Sequence, residues 1–533
     1  MFRILVVSTR GSTALKGAAA ALGGLLAGYT ALTVAELVSV AVRPEAGPVT
    51  AVGGAVIDRT PAAVKDWAIR EFGTADKLVL QLGILALLTV FAVALGLLAL
   101  RRRRTAAAGV LVFGVVGALA AAGRPDSASP TDTVPSLVGA LAGAVVLYAL
   151  AGPLTAAAPA PEGAAAGGSR PVDRRRFLLA TAGVAAAATG AGLAGRRLNA
   201  TTVAGAEASR AAIRLPAPAS PAPELPRGVG LRVPGAVPFT TPSGDFYRVD
   251  TALTVPRLDA GRWRLRLHGK GVERPLTLDF QDLLRRDLIE RDITMTCVSN
   301  EVGGPYVSTA RWLGVRLKDL LEEAGVRPPS RGGPADQLVA RSTDGMTIGS
   351  PVETVMDGRD AMLAVGMNGE PLPFDHGFPV RMLVPGLYGY VSACKWIEDI
   401  ELTTFADYDP YWVERDWARE APIKTQSRID TPKPFASPAA GTVVVAGVAW
   451  AQHKGIERVE LRVDDGPWQQ ARLAAEGPLD TWRQWSWEWP ATAGSHTLQV
   501  RATDRTGYTQ TAKRTRTVPD GASGRHSVVV NVT

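Results

Sequence analysis

The chain has 533 residues, 47% hydrophobic and only 6% aromatic, with a formal net charge of +8 at pH 7. That length exceeds one average core, and alanine and leucine concentrate in the first two hundred positions, so a membrane part followed by a soluble part is expected. Much of the positive excess sits in short clusters beside apolar runs, where loop orientation accounts for it and no nucleic-acid partner is implied, and two cysteines, Cys297 and Cys394, exclude a disulfide framework while leaving one bridge open.

Five stretches are long enough to cross the hydrocarbon core, at about 20 residues per helix. They run roughly from Thr13 to Val42, Leu78 to Leu100, Ala106 to Ala122, Val134 to Ala151 and Phe177 to Ala194. Arg3, Arg10 and Lys16 precede the first, Arg101 to Arg104 follow the second, and Arg174 to Arg176 precede the fifth. Basic residues collect on the cytoplasmic side of short loops. The pattern therefore expects a multi-pass protein of a bacterial cell membrane, N-terminus inside, with everything after residue 195 on the extracytoplasmic side. The spans carry almost no ionisable residues in their interiors, so they read as an anchor in the lipid bilayer and not as a transport path. The segment 173–195, beginning DRRRFLL, reads equally as an internal twin-arginine export signal or as an ordinary positive-inside anchor.

Residues 196–240 are rich in Ala and Pro and are expected to form a semi-extended linker. From 241 to 410 the pattern is mixed: RWRLRLHG alternates as a strand does, and RWLGVRLKDLLEEAGV has a helical stripe that ends near Gly325, which predicts a compact α+β domain. From 425 to 533 only strands are predicted, with an Asp-Gly hairpin turn at 465–466, which suits a β-sandwich of immunoglobulin type. Trp485, Trp487 and Trp489 alternate onto one strand face, suited either to a sandwich core or to binding a sugar or a partner.

Cys297 follows the strand-like DITMT and precedes a loop that contains Asn300 and closes with Gly303 and Gly304. Its sulfur has three readings: a buried small hydrophobe, a nucleophile paired with His376, or a soft metal ligand. Cys394 either packs beside Lys395 or bridges to Cys297, and a bridge would remove the metal ligand.

Taken together, TMTCVSNEVGG, ARWLGVRLKDLLEEAG, DHGFPVRMLVPGLYGYVSACKWIEDIEL and the all-β tail resemble the sulfite oxidase family of molybdenum enzymes, from about residue 240 to 533. The resemblance implies that Cys297 binds molybdenum beside the dithiolene of a molybdopterin. Small residues after it let backbone come near a bulky cofactor. It also implies that His376 and Arg381 belong to the cofactor loop, that Ser392 and Lys395 lie on the stretch that wraps the pterin, and that Asn300 and Thr343 contact the cofactor. Tyr247 and Arg248 of the opening segment would face the same pocket, with Arg248 setting the field at the substrate. The expected activity is oxygen-atom transfer to or from a small-molecule substrate.

This chain departs from the family in its cations. Glu301 and Val302 stand where a basic pair follows the cysteine, Val391 stands nearest to the place of an arginine before the Ser-x-x-Lys-Trp stretch, and Arg248 is out of register. An oxyanion such as sulfite needs converging positive groups, so a neutral acceptor such as a sulfoxide enters consideration. All five histidines lie after residue 260, and no Cys-x-x-Cys-His occurs, so no haem is expected on this chain and electrons would pass to or from a separate cytochrome or quinone-linked protein. The resemblance implies a homodimer through the β domain. The rival reading is a non-catalytic, membrane-tethered binding protein that reuses the same fold, which the altered arginines favour and the retained Cys297, His376, Arg381 and Lys395 oppose.

Overall fold

The computed structural model describes residues 2–61, 64, 67, 71–72, 75–124, 127, 129–155 and 174–533. It divides into two compact units, one of Met1–Gly205 with Ala252–Val255 and one of Ala206–Thr251 with Pro256–Thr533.

The first unit is helical: α1 (Phe2–Val42), α2 (Pro48–Arg59), α3 (Asp76–Ala99), α4 (Arg103–Ala122), α5 (Val134–Thr155) and α6 (Arg174–Ala212). Among the described residues, five helices are long and apolar enough to cross a membrane, and α2 is an additional short helix that the apolar pattern did not announce. Small residues let these helices touch closely, as association between apolar helices requires. At Gly24 of α1 an added Cβ would lie 2.0 Å from the Ala92 carbonyl of α3, and at Gly139 of α5 it would lie 2.3 Å from the Ala31 carbonyl of α1. Asp173, the first residue of the twin-arginine-like segment, lies outside the described residues.

Helix α6 corrects the expected start of the linker. It runs through to Ala212, because the alanine-rich sequence after residue 195 contains good helix formers and no proline until Pro216. The extended part that follows is no free tether either. Ser220 donates its amide to the Leu288 carbonyl at 3.1 Å and accepts from the Glu290 amide at 2.9 Å, which straps the segment along a strand of the second unit.

The second unit holds one mixed sheet, one antiparallel sheet and a sandwich. Strands β1 (Arg264–Gly269) and β2 (Leu276–Asp279) are followed by β3 (Leu288–Thr296), β4 (Val307–Arg316), β5 (Gln337–Ser342), β6 (Thr347–Pro351) and β7 (Met362–Met367). Then come β8 (Glu370–Pro371), β9 (Arg381–Leu383) and β10 (Ile397–Thr403). One sheet has the order β2-β1-β10-β5-β6, with β1 and β10 parallel; the other has β3-β4-β7-β8, with β9 also on β7. The expected helix over RWLGVRLKDLLEEAGV forms only in its second half, and residues 311–316 are strand. Trp312 and Val315 pair into β4 and are buried in its sheet, the helix covers only Leu317–Glu323, and Gly325 at φ +82° turns the chain after it.

From β11 (Gln426–Thr431) onward the chain is all strand: β12 (Gly441–Trp450), β13 (Ile456–Val463), β14 (Gln469–Gln470), β15 (Arg472–Leu473), β16 (Arg483–Ala491), β17 (Gly494–Asp504) and β18 (His526–Val532). These form two four-stranded antiparallel sheets, β11-β12-β16-β15 and β14-β13-β17-β18, around one apolar core. Trp485 and Trp489 are buried in that core and Trp487 packs against it, so the tryptophan row is sandwich filling.

Candidate functional site

Strands β3 and β4 pair in register from Leu288 with Val315 to Thr296 with Val307, so Cys297 is the first residue of a hairpin loop that runs to Tyr306. The loop is fixed by its own backbone. The Cys297 amide donates to the Tyr306 carbonyl at 3.0 Å, its carbonyl accepts from Asn300 at 3.0 Å, and the Asn300 side-chain oxygen accepts from the Tyr306 amide at 2.9 Å. Gly303 has φ +83° and packs so tightly on His526 that a Cβ would lie 2.1 Å from the imidazole ring. Asn300 thus shapes the loop with its side chain.

The sandwich braces the strand behind the cysteine. Gln452 donates to the Thr294 carbonyl at 3.0 Å and to the Thr296 hydroxyl at 3.2 Å, and Arg428 donates to the Gly304 carbonyl at 2.9 Å. These contacts explain why β3 is buried on both faces at its end, where a strand with one solvated face would alternate.

Cys297 is buried, which raises its thiol pKa; the Ser299 amide and hydroxyl and the Lys395 ammonium act against that rise without reversing it. A buried thiol in this state is a poor free nucleophile. His376 is no evident base for it, since its Nε2 lies 3.0 Å from the Ser243 carbonyl and burial, then Arg381, hold its pKa down to about 4. Both cysteines are free, so the bridge that the sequence left open does not form. The Cys394 thiol is buried, its pKa is raised by that burial, and its sulfur lies 3.7 Å from the Lys395 carbonyl.

Around Cys297 the structure gathers residues from distant parts of the chain. Tyr247 is buried, which raises its phenol pKa; the Cys297 sulfur adds to that rise and Arg381 opposes it. Arg381, at the start of β9, donates to the His376 carbonyl at 3.2 Å and lies 5.1 Å from the Trp312 ring centroid. Its Nε is buried without a hydrogen-bond partner among the described residues, and burial pushes its pKa down to about 10. Gly377, at φ +104°, lets Arg381 and Lys395 come together, since a Cβ there would meet both at 3.0 and 3.1 Å. Thr343 donates its amide to the Trp396 carbonyl at 3.0 Å, beside Lys395, and its buried hydroxyl has no partner among the described residues.

Two of the expected residues are engaged elsewhere. The Ser392 hydroxyl donates to the Leu387 and Tyr388 carbonyls at 3.0 and 3.1 Å, closing its own turn. Arg248 is bound by carboxylates, 2.9 Å from Asp250 and 3.5 Å from Asp375. Sequence reading missed Ser299, Asp250 and Gln452. Ser299, two residues after the cysteine, was legible as a local donor, whereas the others reach the site only through the tertiary fold.

The model for the oxidoreductase molybdopterin binding domain matches residues 252–412. The mitochondrial sulfite oxidase of Mus musculus is 31% identical over 286 residues, covering 47% of this chain and 52% of that protein. The sulfite oxidase of Gallus gallus is 31% identical over 342 residues, covering 52% of this chain and 73% of that protein. The chain thus spans about half the length of the mammalian relatives it matches. The crystal structure of the sulfane dehydrogenase SoxCD from Paracoccus pantotrophus aligns with a TM-score of 0.47 at 26% identity, covering 55% of this chain and 84% of that one. With nearly three quarters of the avian enzyme matched at this identity, the chain belongs to the sulfite oxidase family of molybdopterin-dependent oxidoreductases.

Proposed function

We propose that this protein is a membrane-anchored molybdenum oxidoreductase that transfers an oxygen atom to or from a small sulfur oxyanion or a sulfoxide outside the cytoplasm. The observation that carries the reading is the pair of buried polar atoms orphaned among the described residues, Arg381 Nε, on the residue that meets Lys395 at Gly377, and Thr343 Oγ1, on the residue whose amide bonds the Trp396 carbonyl. A buried donor left unpaired costs about 1–3 kcal/mol, and a cofactor with acceptor oxygens and ring nitrogens would remove that cost. The donor set fits: one soft sulfur, a guanidinium suited to an oxyanion, and an ammonium.

In this reading Cys297 would hold the metal, while Arg381, His376, Thr343 and Lys395 would hold the molybdopterin. When bound, the cofactor supplies two-electron redox chemistry and oxygen-atom exchange. The chain's part is positional. The hairpin amides fix the direction of the sulfur, Ser299 and Lys395 favour the thiolate form that a bound metal would require, and Tyr247 presents a protonated phenol to the pocket. Neutral His376 keeps positive charge from accumulating beside Arg381. Asn300 and Ser392 support the two loops through backbone contacts.

The five apolar helices support anchoring in a bilayer, and the basic flanks support an extracytoplasmic catalytic domain. Electrons go to or come from a separate cytochrome or quinone-linked protein. The sandwich is taken as an immunoglobulin-type module through which two chains pair. Residues 173–195 are taken as a twin-arginine signal, which would fit loading of the cofactor before export.

The test is elemental and pterin analysis of detergent-purified full-length protein from a cofactor-competent host, beside Cys297→Ser. Molybdenum near one atom per chain in the wild type, lost or inactive in the variant, is expected. Absence of both metal and pterin, in a folded sample from a host that loads a control enzyme, would overturn the reading in favour of a binding protein.

A further inference from the structure

The strongest unexplained feature near the site is a buried carboxylate. Asp250 is 3% exposed at its side chain, and its Oδ2 accepts both from Lys395 Nζ at 2.9 Å and from Arg248 Nε at 2.9 Å. Arg248 also lies 3.5 Å from Asp375. Arg248 and Lys395 are therefore balanced by two carboxylates in one connected group, while Arg381, the third cation of this region, has no carboxylate partner among the described residues and is assigned above to the cofactor. Lys395 is the cation that acts on the Cys297 sulfur, and the loop that follows Cys297 adds the exposed Glu301.

We infer that Asp250 sets the charge specificity of the pocket. By neutralising Lys395 and Arg248 it makes the space beside Cys297 accept a small neutral molecule of the sulfoxide class in preference to a sulfur oxyanion. This rests on the functional reading above and narrows it. With Arg381 committed to the cofactor, an entering anion would meet the Lys395 ammonium and the Arg248 guanidinium already paired with Asp250, and it would have to compete with that buried carboxylate to use them. Such competition leaves Asp250 without its partners in a low-dielectric place, which is strongly unfavourable. A neutral, dipolar substrate needs no counter-charge and gives up less hydration on entry than an anion does. A merely structural ion pair would affect folding alone, whereas charge balance predicts a gain in anion binding when the carboxylate is removed.

The experiment uses the full chain in detergent, with molybdenum and pterin quantified in every sample. Sulfate, an unreactive oxyanion, is titrated calorimetrically into wild type, Asp250→Asn and Asp375→Asn. Asp250→Asn is expected to bind sulfate on the order of tenfold more tightly, the scale of one nearby charge in a partly buried site, with the gain shrinking as salt rises. The more exposed Asp375→Asn should move the same way by less, with metal and pterin content unchanged in both. Sulfate affinity equal to wild type in the two variants would overturn the proposal. If Asp250→Asn does not fold, Asp375→Asn decides alone, and no gain there counts against it. Wild type without metal or pterin would instead refute the functional reading, which the analysis of content registers independently of the titration.

Discussion

The Lys395 ammonium lies 2.9 Å from the Asp250 carboxylate, with side chains only 11% and 3% exposed. This contact joins the residue just ahead of β10 to the loop that carries Tyr247 and Arg248. Burial is the larger influence on Lys395 and pulls its pKa down to about 8, with Asp250 working in the other direction. Removing the cation alone leaves a buried carboxylate short of one of its cations. Lys395→Met is therefore expected to destabilise the second unit by about 3 kcal/mol, the lower end for breaking a buried pair. The Lys395→Met, Asp250→Asn double variant should recover part of that loss. Thermal unfolding of the two variants checks this, and an unchanged midpoint for Lys395→Met would show that the ion pair is not a stability element.

Stability should fall on acidification below neutrality. His376 and His526 are both held down to about 4, chiefly by burial, with Arg381 and Arg428 respectively as the next cause. Each is lowered from an ordinary value near 6.5, so between the two values the unfolded chain binds the proton and the folded chain does not. These two rings therefore make the unfolding free energy rise with pH across roughly 4 to 6.5, and their contribution levels off above it. Melting curves across that window should show the slope, and His526→Asn should flatten it. A profile flat from pH 4 to 7 would contradict the buried, neutral state of both rings.

The hairpin that carries Cys297 should be intolerant of a side chain at one position. Gly303 has φ +83° and leaves no room for a Cβ against His526. Gly303→Ala combines left-handed backbone strain, about 1–3 kcal/mol, with a steric clash against the imidazole. It should lower stability and reduce the metal and pterin content of the purified protein. Gly332→Ala supplies a control for backbone strain alone, since its φ is +79° and no atom lies within 4 Å of the added methyl. Equal losses in the two variants would mean that His526 packing contributes nothing.

Much of this architecture was legible in local pattern, and the misses have identifiable causes. The period-2 alternation of RWRLRLHG became β1, and the strand runs after 440 became β12, β13, β16 and β17. Long apolar runs became helices because they satisfy their own backbone. The RWLGVR segment misled because Trp312, Leu313 and Val315 match a helical stripe by spacing, while their partners Met367, Gly366 and Leu363 on β7 are far away in sequence. The linker was misplaced because composition was averaged across Ala212, where the alanine-rich helix gives way to proline. At the site, motif resemblance picked out Cys297, Tyr247, Arg381 and Lys395, which the fold does bring near one another. Asp250 escaped because a single acidic residue in a loop carries no periodic or motif signal. Its partners are 145 residues and two residues away, and only the nearer was visible.

Gln452 offers a test of how far the sandwich governs the cysteine strand. Its amide nitrogen donates to the Thr294 carbonyl and the Thr296 hydroxyl, while its Oε1 is buried with no partner among the described residues. Gln452→Leu removes two hydrogen bonds and also removes the unpaired oxygen, so its cost should be small, about 1 kcal/mol. Gln452→Glu keeps the shape but replaces the donor with a carboxylate facing a carbonyl oxygen in a buried position. That variant should cost more, about 3 kcal/mol, unless the new group takes up a proton and donates again. The larger loss should therefore appear at high pH and diminish in acid, the reverse of the histidine trend, when both are measured by thermal unfolding. Hydrogen exchange at the Thr294 to Cys297 amides provides the local readout: faster exchange in both variants, greater in Gln452→Glu, would mean that the strand end bearing the sulfur is held from the sandwich side. Exchange unchanged in both would mean that pairing with β4 alone fixes Cys297.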